Sequence, residues 1–354
     1  MKRTALLTGG LLLLLAASCV KEGTGPAAPS GKMVTIRVAV PEEVYAKVSF
    51  TEEDGKLKTA WEDTDCIRVI SGENSAVYSI SRIVSDHVAE FTGPAVAGSS
   101  FDILYPGTYA SVDEAVADAA SPAQNGNGSP AHLRFRALLE GVDQYEDILF
   151  NGSWAASHGG SYKQGAAVKL VATLPAGVTS LDKAGIILDG HNYTVPLSGV
   201  DVSASAQKLT AYLMLPWEDI TLSNGTNVTV YAMDPDKEAY GFQIPISGGD
   251  KTVTQGKMNS FGGHATAITL SLQDFVAGDG TQENPYLIAN ARQLNNMHNV
   301  MVNNSSNWFR LLEDIDASSI SNWVPLNTAS GFSKAMDFDG DGHTISNLTS
   351  TGAT

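Results

Sequence analysis

The apolar positions of this chain fall mostly into short runs of period two. Val34, Ile36, Val38 and Val40 are separated by Thr35, Arg37 and Ala39, which predicts a strand buried on one face. Runs at 44–51 and 56–61 flank Glu53-Asp54-Gly55, where Asp-Gly supplies the positive φ of a tight hairpin. Further strands are predicted at 66–70, 77–83, 88–91 and 101–105, with turn residues between them. Such regular spacing predicts a first antiparallel β-sandwich over 33–110.

Residues 111–131, rich in Ser, Ala, Asp, Asn, Gly and Pro, predict a linker with one helical turn at 113–119. A second β-rich block, 132–272, carries strands at 168–174, 184–188, 193–197, 209–215, 227–233, 242–246 and 267–272. Asp189-Gly190 and Asn224-Gly225 mark turns between them. Beyond residue 273 the pattern changes. Asn290 followed three residues later by Gln293 is a helix-capping pair, and Leu294, Met297 and Met301 then share one helical face. The expected class is all-β: two sandwiches, then a different C-terminal segment.

The N-terminus bears on location. Lys2 and Arg3 precede an apolar run at 5–17, shorter than the ~20 residues that span a bilayer, so it reads as a signal peptide. The run closes on Ala16-Ala17-Ser18-Cys19, which resembles the lipobox of bacterial lipoproteins, with its usual Leu displaced by one to Leu15. The resemblance implies removal of residues 1–18, acylation of Cys19, membrane lipid as a partner through that cysteine, and an outer-membrane, cell-surface location. Residues 19–32 then form a Gly/Pro/Ala/Ser tether, and its opening Val20-Lys21-Glu22 resembles the surface-export signal of Bacteroidota lipoproteins.

Two of the 22 basic residues leave with the signal, so 20 face 38 acidic residues. A chain this acidic repels phosphate backbones, which argues against a nucleic-acid partner. With Cys19 acylated, Cys66 is the remaining cysteine, no intramolecular disulfide can form, and stability has to come from burial.

Several segments resemble fimbrillin-like proteins. Trp61-Glu62-Asp63-Thr64-Asp65-Cys66-Ile67-Arg68-Val69 is similar to that family's W-x-x-x-D-x-I-x-V segment. Phe91-Thr92-Gly93 with Leu104-Tyr105-Pro106 resembles its F-x-G … Y-P pair, and Pro122-Ala123-Gln124 its P-x-Q stretch. Gln255-Gly256-Lys257-Met258 resembles its G-K-x-Y run, with Met258 where the aromatic is expected. The resemblance covers about residues 33–272. It implies two transthyretin-like β-sandwich domains and a surface lipoprotein that is a fimbrial accessory subunit or an adhesin, with other fimbrial subunits or host and bacterial surface ligands as partners. In polymerising members a protease removes the first strand after a basic residue, which would place processing at Arg37 or Lys47.

The C-terminal 273–354 resembles the opening of right-handed β-helix modules with GLUG-type repeats. The residues that carry this are Gly280-Thr281-Gln282-Glu283-Asn284-Pro285-Tyr286-Leu287-Ile288, Asp314-Ile315-Asp316, Trp323-Val324-Pro325-Leu326, and the run from Phe338 to Leu348. The match departs at Leu326-Asn327, where Ile-Gly is expected. About three stacked coils are needed to bury a solenoid's apolar face. One or two precede Thr354, so the expectation is a piece of a longer protein.

Chemistry is sparse in the sequence. Asp337-Phe338-Asp339-Gly340-Asp341-Gly342 fits the first half of a calcium loop, making Asp337, Asp339 and Asp341 weak calcium candidates, but the twelfth position is Leu348 rather than a bidentate acid. A Gly-rich turn is the better reading. There is no H-E-x-x-H pair, G-x-S-x-G elbow or phosphate loop, and the seven histidines lack ligand spacing. Cys66 reads as a small core residue and Trp154, near Tyr162, as a loop anchor rather than a sugar platform. Asp314 and Asp316 would suit glycosidase acid–base work, yet they belong to the repeat pattern. The reading is a non-enzymatic surface protein without a cofactor; the alternative is a glycan-binding or glycan-degrading protein that uses the β-helix.

Overall fold

The structure is a computed structural model that describes residues 32–40, 51–53, 56–58, 60–117, 123–125, 128–133, 136–201, 207–215, 217, 219–262, 268–301, 307–326 and 336–350. The fold is all-β and sandwich-like. An eight-stranded sheet runs in the order Asp147–Leu149, Met33–Ala39, Val88–Pro94, Asn74–Ser85, Cys66–Ser71, Phe101–Tyr105, Ala137–Val142, Ser161–Gln164. It curls around one core that takes Ile36, Tyr78, Phe91, Ile103, Leu139 and Ile148 from six of those strands.

The predicted first strand lies one strand in from the edge of this sheet. Met33–Ala39 lies between Val88–Pro94, antiparallel, and Asp147–Leu149, parallel. Ile36 and Val38 point into the core and Arg37 out of it. Each such buried branched side chain contributes roughly 1.5–3 kcal/mol, and both ladders must open before the strand leaves.

The boundary expected at residue 132 moves. Ala137–Val142, Asp147–Leu149 and Ser161–Gln164 complete the first sheet, and so the first unit continues past the 111–131 stretch to about residue 164. That stretch contains the short helix Val112–Ala117, which packs Ala115 against Leu104, Leu138 and Trp217. The physical cause is pairing: Phe101–Tyr105 leaves an edge that Ala137–Val142 covers.

The second unit has two layers. Ala167–Thr173 lies between Lys208–Met214, antiparallel, and Met258–Phe261 with Ile268–Thr269, parallel. Its Val168 and Leu170 face a core shared with Ile186, Val195 and Val230 of a six-stranded sheet. Ala167, Tyr212 and Met214 on the opposite side close the core of the first unit, so both faces of this small sheet are buried. The six-stranded sheet runs Ser271–Leu272, Ala239–Pro245, Asn227–Met233, Ser180–Leu188, His191–Asp201, Gln124–Asn125.

The C-terminal segment builds parallel ladders. Tyr286–Ile288, Asn307–Leu311 and Met336–Asp339 stack in register, with Tyr286, Phe309 and Phe338 in one row. Ile315–Asp316 pairs in parallel with Ile345–Ser346. The predicted capping pair starts the helix Ala291–Met301: Gln293 N donates to Asn290 Oδ1 at 2.8 Å, and Ala289 N donates to Gln293 Oε1 at 2.7 Å. Leu294, Met297 and Met301 are buried beside Phe309 and Leu311, as the helical face predicts.

Candidate functional site

Strand alternation aims half of the six-stranded sheet away from its core. Cross-strand register aligns the outward residues in rows: Gly185, Tyr231 and Gly241 in one, Ile187, Thr229 and Gln243 in the next. The parallel-ladder segment docks on the first row. Tyr231, Met233 and Ala239 pack there with Val276, Ala277 and Leu287. Ion pairs frame this contact: Lys183 with Glu313, and Arg292 with Glu238, where Arg292 Nε donates at 2.7 Å and Nη2 also donates to Gln273 O at 2.6 Å.

In the second row Ile187 is covered by the same segment, while Thr229 and Gln243 line a groove beside it. Where the docked segment ends, two adjoining clefts of about 230 and 460 Å³ share Thr229 and Gln243 as floor. Asn227 continues this floor, the turn Asp189-Gly190 forms one wall and loop 279–284 the other. That loop is braced internally. Asp279 Oδ1 accepts from Thr281 N (3.0 Å) and Thr281 Oγ1 (2.8 Å), Thr281 Oγ1 accepts from Asn284 N, and Asn284 O accepts from Asp279 N. Gly280 holds φ +83°, and a Cβ there would lie 2.4 Å from the Tyr286 ring, so glycine is required. Partial burial acts to raise the Asp279 pKa, but the hydrogen bonds from Thr281 outweigh it and hold the carboxyl below its ordinary value. At the narrower end Tyr286 stacks on Phe275 at 4.4 Å.

No family model matches the chain, and no curated protein matches it. One solved structure is similar over a short stretch. A Bacteroides ovatus protein, provisionally assigned as an immunoglobulin A1 protease, is 42% identical over 20% of this chain and 21% of its own, with a TM-score of 0.20. The matched stretch is thus about a fifth of the length of that protein.

The residues singled out from the sequence do not converge with this groove. Cys19 and Lys47 lie outside the described residues. Arg37 stands on the solvent face of its strand. Asp339 is already committed: its Oδ1 accepts from Asp341 N and its Oδ2 from Arg310 Nε, both at 2.9 Å, so it braces a turn. Asp337 and Asp341 join no such cluster, and no three His, Cys, Asp or Glu among the described residues could hold a metal. Asp314 accepts from Thr344 N and Asp316 from Asn347 Nδ2, which ties the two ladder levels together. Cys66 is a buried thiol, and Trp154 packs on the first core while stacking on His158 at 4.1 Å. No helix among the described residues is long and apolar enough to cross a membrane.

The braces predict acid sensitivity. Asp316, through Asn347 and the Ser318 amide, and Asp339, through the Asp341 amide and Arg310, are held below the ordinary carboxylate value of 3.8. A depressed folded pKa adds stability that is present above the unfolded value and lost as pH falls through the folded one. The melting temperature of the wild type is therefore expected to fall more steeply between about pH 5 and pH 3 than that of the Asp316→Asn/Asp339→Asn variant. Parallel curves for the two proteins would refute the role of these braces.

Proposed function

We propose that this protein is a cell-surface lipoprotein of fimbrillin-like type, acting as an adhesin or terminal fimbrial subunit rather than as an enzyme. In this reading Cys19 holds the chain to the outer membrane, residues 19–32 space it from the surface, and the two β-rich units form a stalk. The parallel ladders are then the first coils of a GLUG-type β-helix displayed beyond them.

The observation that carries the reading is the placement of Met33–Ala39. It is the first described strand after the tether, it is paired on both edges, and its Ile36 and Val38 fill the core. A donor-strand fibre needs a groove that opens for a neighbour's strand. Here the chain fills its own groove, which favours an anchored, terminal subunit over a repeating one.

The anchoring step gives the test. Cys19→Ala is expected to abolish lipid labelling, shift the protein from the membrane fraction to the soluble one, and lower adherence of expressing cells to that of cells lacking the protein. A variant that fractionates with membranes like the wild type would overturn the reading.

A further inference from the structure

The outward row Ile187–Thr229–Gln243 would be an ordinary solvated sheet face if the parallel-ladder segment did not overhang it. Under the overhang Thr229 is 8% exposed, and its hydroxyl, at the junction of the two clefts, has no hydrogen-bond partner among the described residues. We propose that this groove is a binding site for a short, neutral, hydroxyl-rich oligosaccharide. The proposal deepens the adhesive reading and rests on it for the expectation of a surface ligand.

Four features of the groove select that ligand class. The amides of Asn227 and Gln243 and the hydroxyl of Thr229 each both donate and accept, as sugar hydroxyls do. A lysine or arginine side chain offers donors alone, so it would leave the two amide NH2 groups without acceptors. Asp189, Asp279 and Glu283 on the walls add acceptors for hydroxyl pairs, and their charge repels sialic acid, uronate, sulfate and phosphate groups. Tyr286, partly exposed and backed by Phe275, offers an apolar ring face to the C–H side of a sugar at the narrow end. The wider cleft, about 460 Å³, lies in the range of small-ligand sites.

The test uses the full lipidated chain in detergent micelles over an immobilised panel. The panel holds neutral oligosaccharides of hexose, fucose and N-acetylhexosamine, their sialylated and sulfated counterparts, and an oligolysine peptide. Saturable retention by neutral members, with none by the anionic ones, is the expected result. Asn227→Ala/Gln243→Ala should weaken it by about tenfold or more while melting like the wild type, because both side chains are exposed and unpaired among the described residues. Glu283→Gln should weaken it too, and Arg82→Ala, in an exposed ion pair on the first sheet, should not. No neutral member bound, equal binding by the double variant, or retention by oligolysine instead would overturn the proposal. Adherence of cells measured in parallel separates the two readings: adherence that persists in the double variant removes the groove and leaves the adhesin.

Discussion

A Trp61→Ala chain is expected to lose about 3–5 kcal/mol of stability in the first β-rich unit, the cost of emptying a large aromatic site in a core. Trp61 is 7% exposed and stands edge-on to Phe91 at 5.2 Å and to Tyr105 at 5.5 Å, so one deletion removes two aromatic contacts as well as buried area. Tyr105 in turn donates to Asp65 Oδ1 at 2.7 Å, and Asp65 Oδ2 accepts from Glu62 N at 2.8 Å. A cavity at Trp61 therefore adjoins a buried carboxylate that depends on its present geometry. For a domain stable by about 5–15 kcal/mol, the loss is a third or more of the total. Trp61→Phe should cost much less, below about 2 kcal/mol. It keeps the ring contacts and removes an indole N–H that is buried without a partner among the described residues. Chemical denaturation of the three proteins checks both statements. An alanine variant within about 1 kcal/mol of the wild type, or a phenylalanine variant as weak as alanine, would contradict the packing argument.

Gly185→Ala is expected to loosen the docking of the parallel-ladder segment. Gly185 and Tyr231 face each other across two strands, and the tyrosine ring lies over the glycine, where a Cβ would sit 2.3 Å from the ring carbon Cζ. Tyr231 is fully buried, and its hydroxyl donates to Asn192 Oδ1 at 2.8 Å. The ring packs in one cluster with Val276, Ala277 and Leu287 of the docked segment, so displacing it disturbs that contact. Overpacking of this kind costs about 1–3 kcal/mol. Taken up as local opening, that raises protease cleavage between residues 273 and 279 by roughly 5- to 150-fold. Gly185→Ala/Tyr231→Leu should recover much of the loss, because the two substitutions share one volume. Cleavage unchanged in the single variant would show that the segment does not depend on this contact. The same substitution should weaken oligosaccharide binding, since the groove exists only while the segment stays docked.

Local features were legible in the chain itself. The strand Asn227–Met233 follows from alternation bounded by Asn224-Gly225, and the helix Ala291–Met301 from its Asn290/Gln293 cap. The run of Ala137–Val142 carries no alternation, and the strand that joins it to the first sheet, Phe101–Tyr105, lies more than thirty residues earlier. Nothing periodic assigns it to the first unit, so the sequence pattern places the boundary at residue 132 and the strand pairing places it later. At Asp337, Asp339 and Asp341 the spacing suits a cation but the sequence favours a Gly-rich turn; Asp339 accepts from Asp341 N and from Arg310 Nε of the neighbouring strand.

From its sequence alone this protein is determined to be mainly β and acidic, because those properties depend on residue type and on neighbours a few positions away. The groove was decided by the tertiary structure. Asn227, Thr229 and Gln243 fall within two predicted strands, and residues 280–284 within the segment that resembles a GLUG-type opening. They meet because Gly185 and Gly241 leave room for Tyr231 and the segment that covers it, and long-range packing of that kind leaves no periodic trace along the chain.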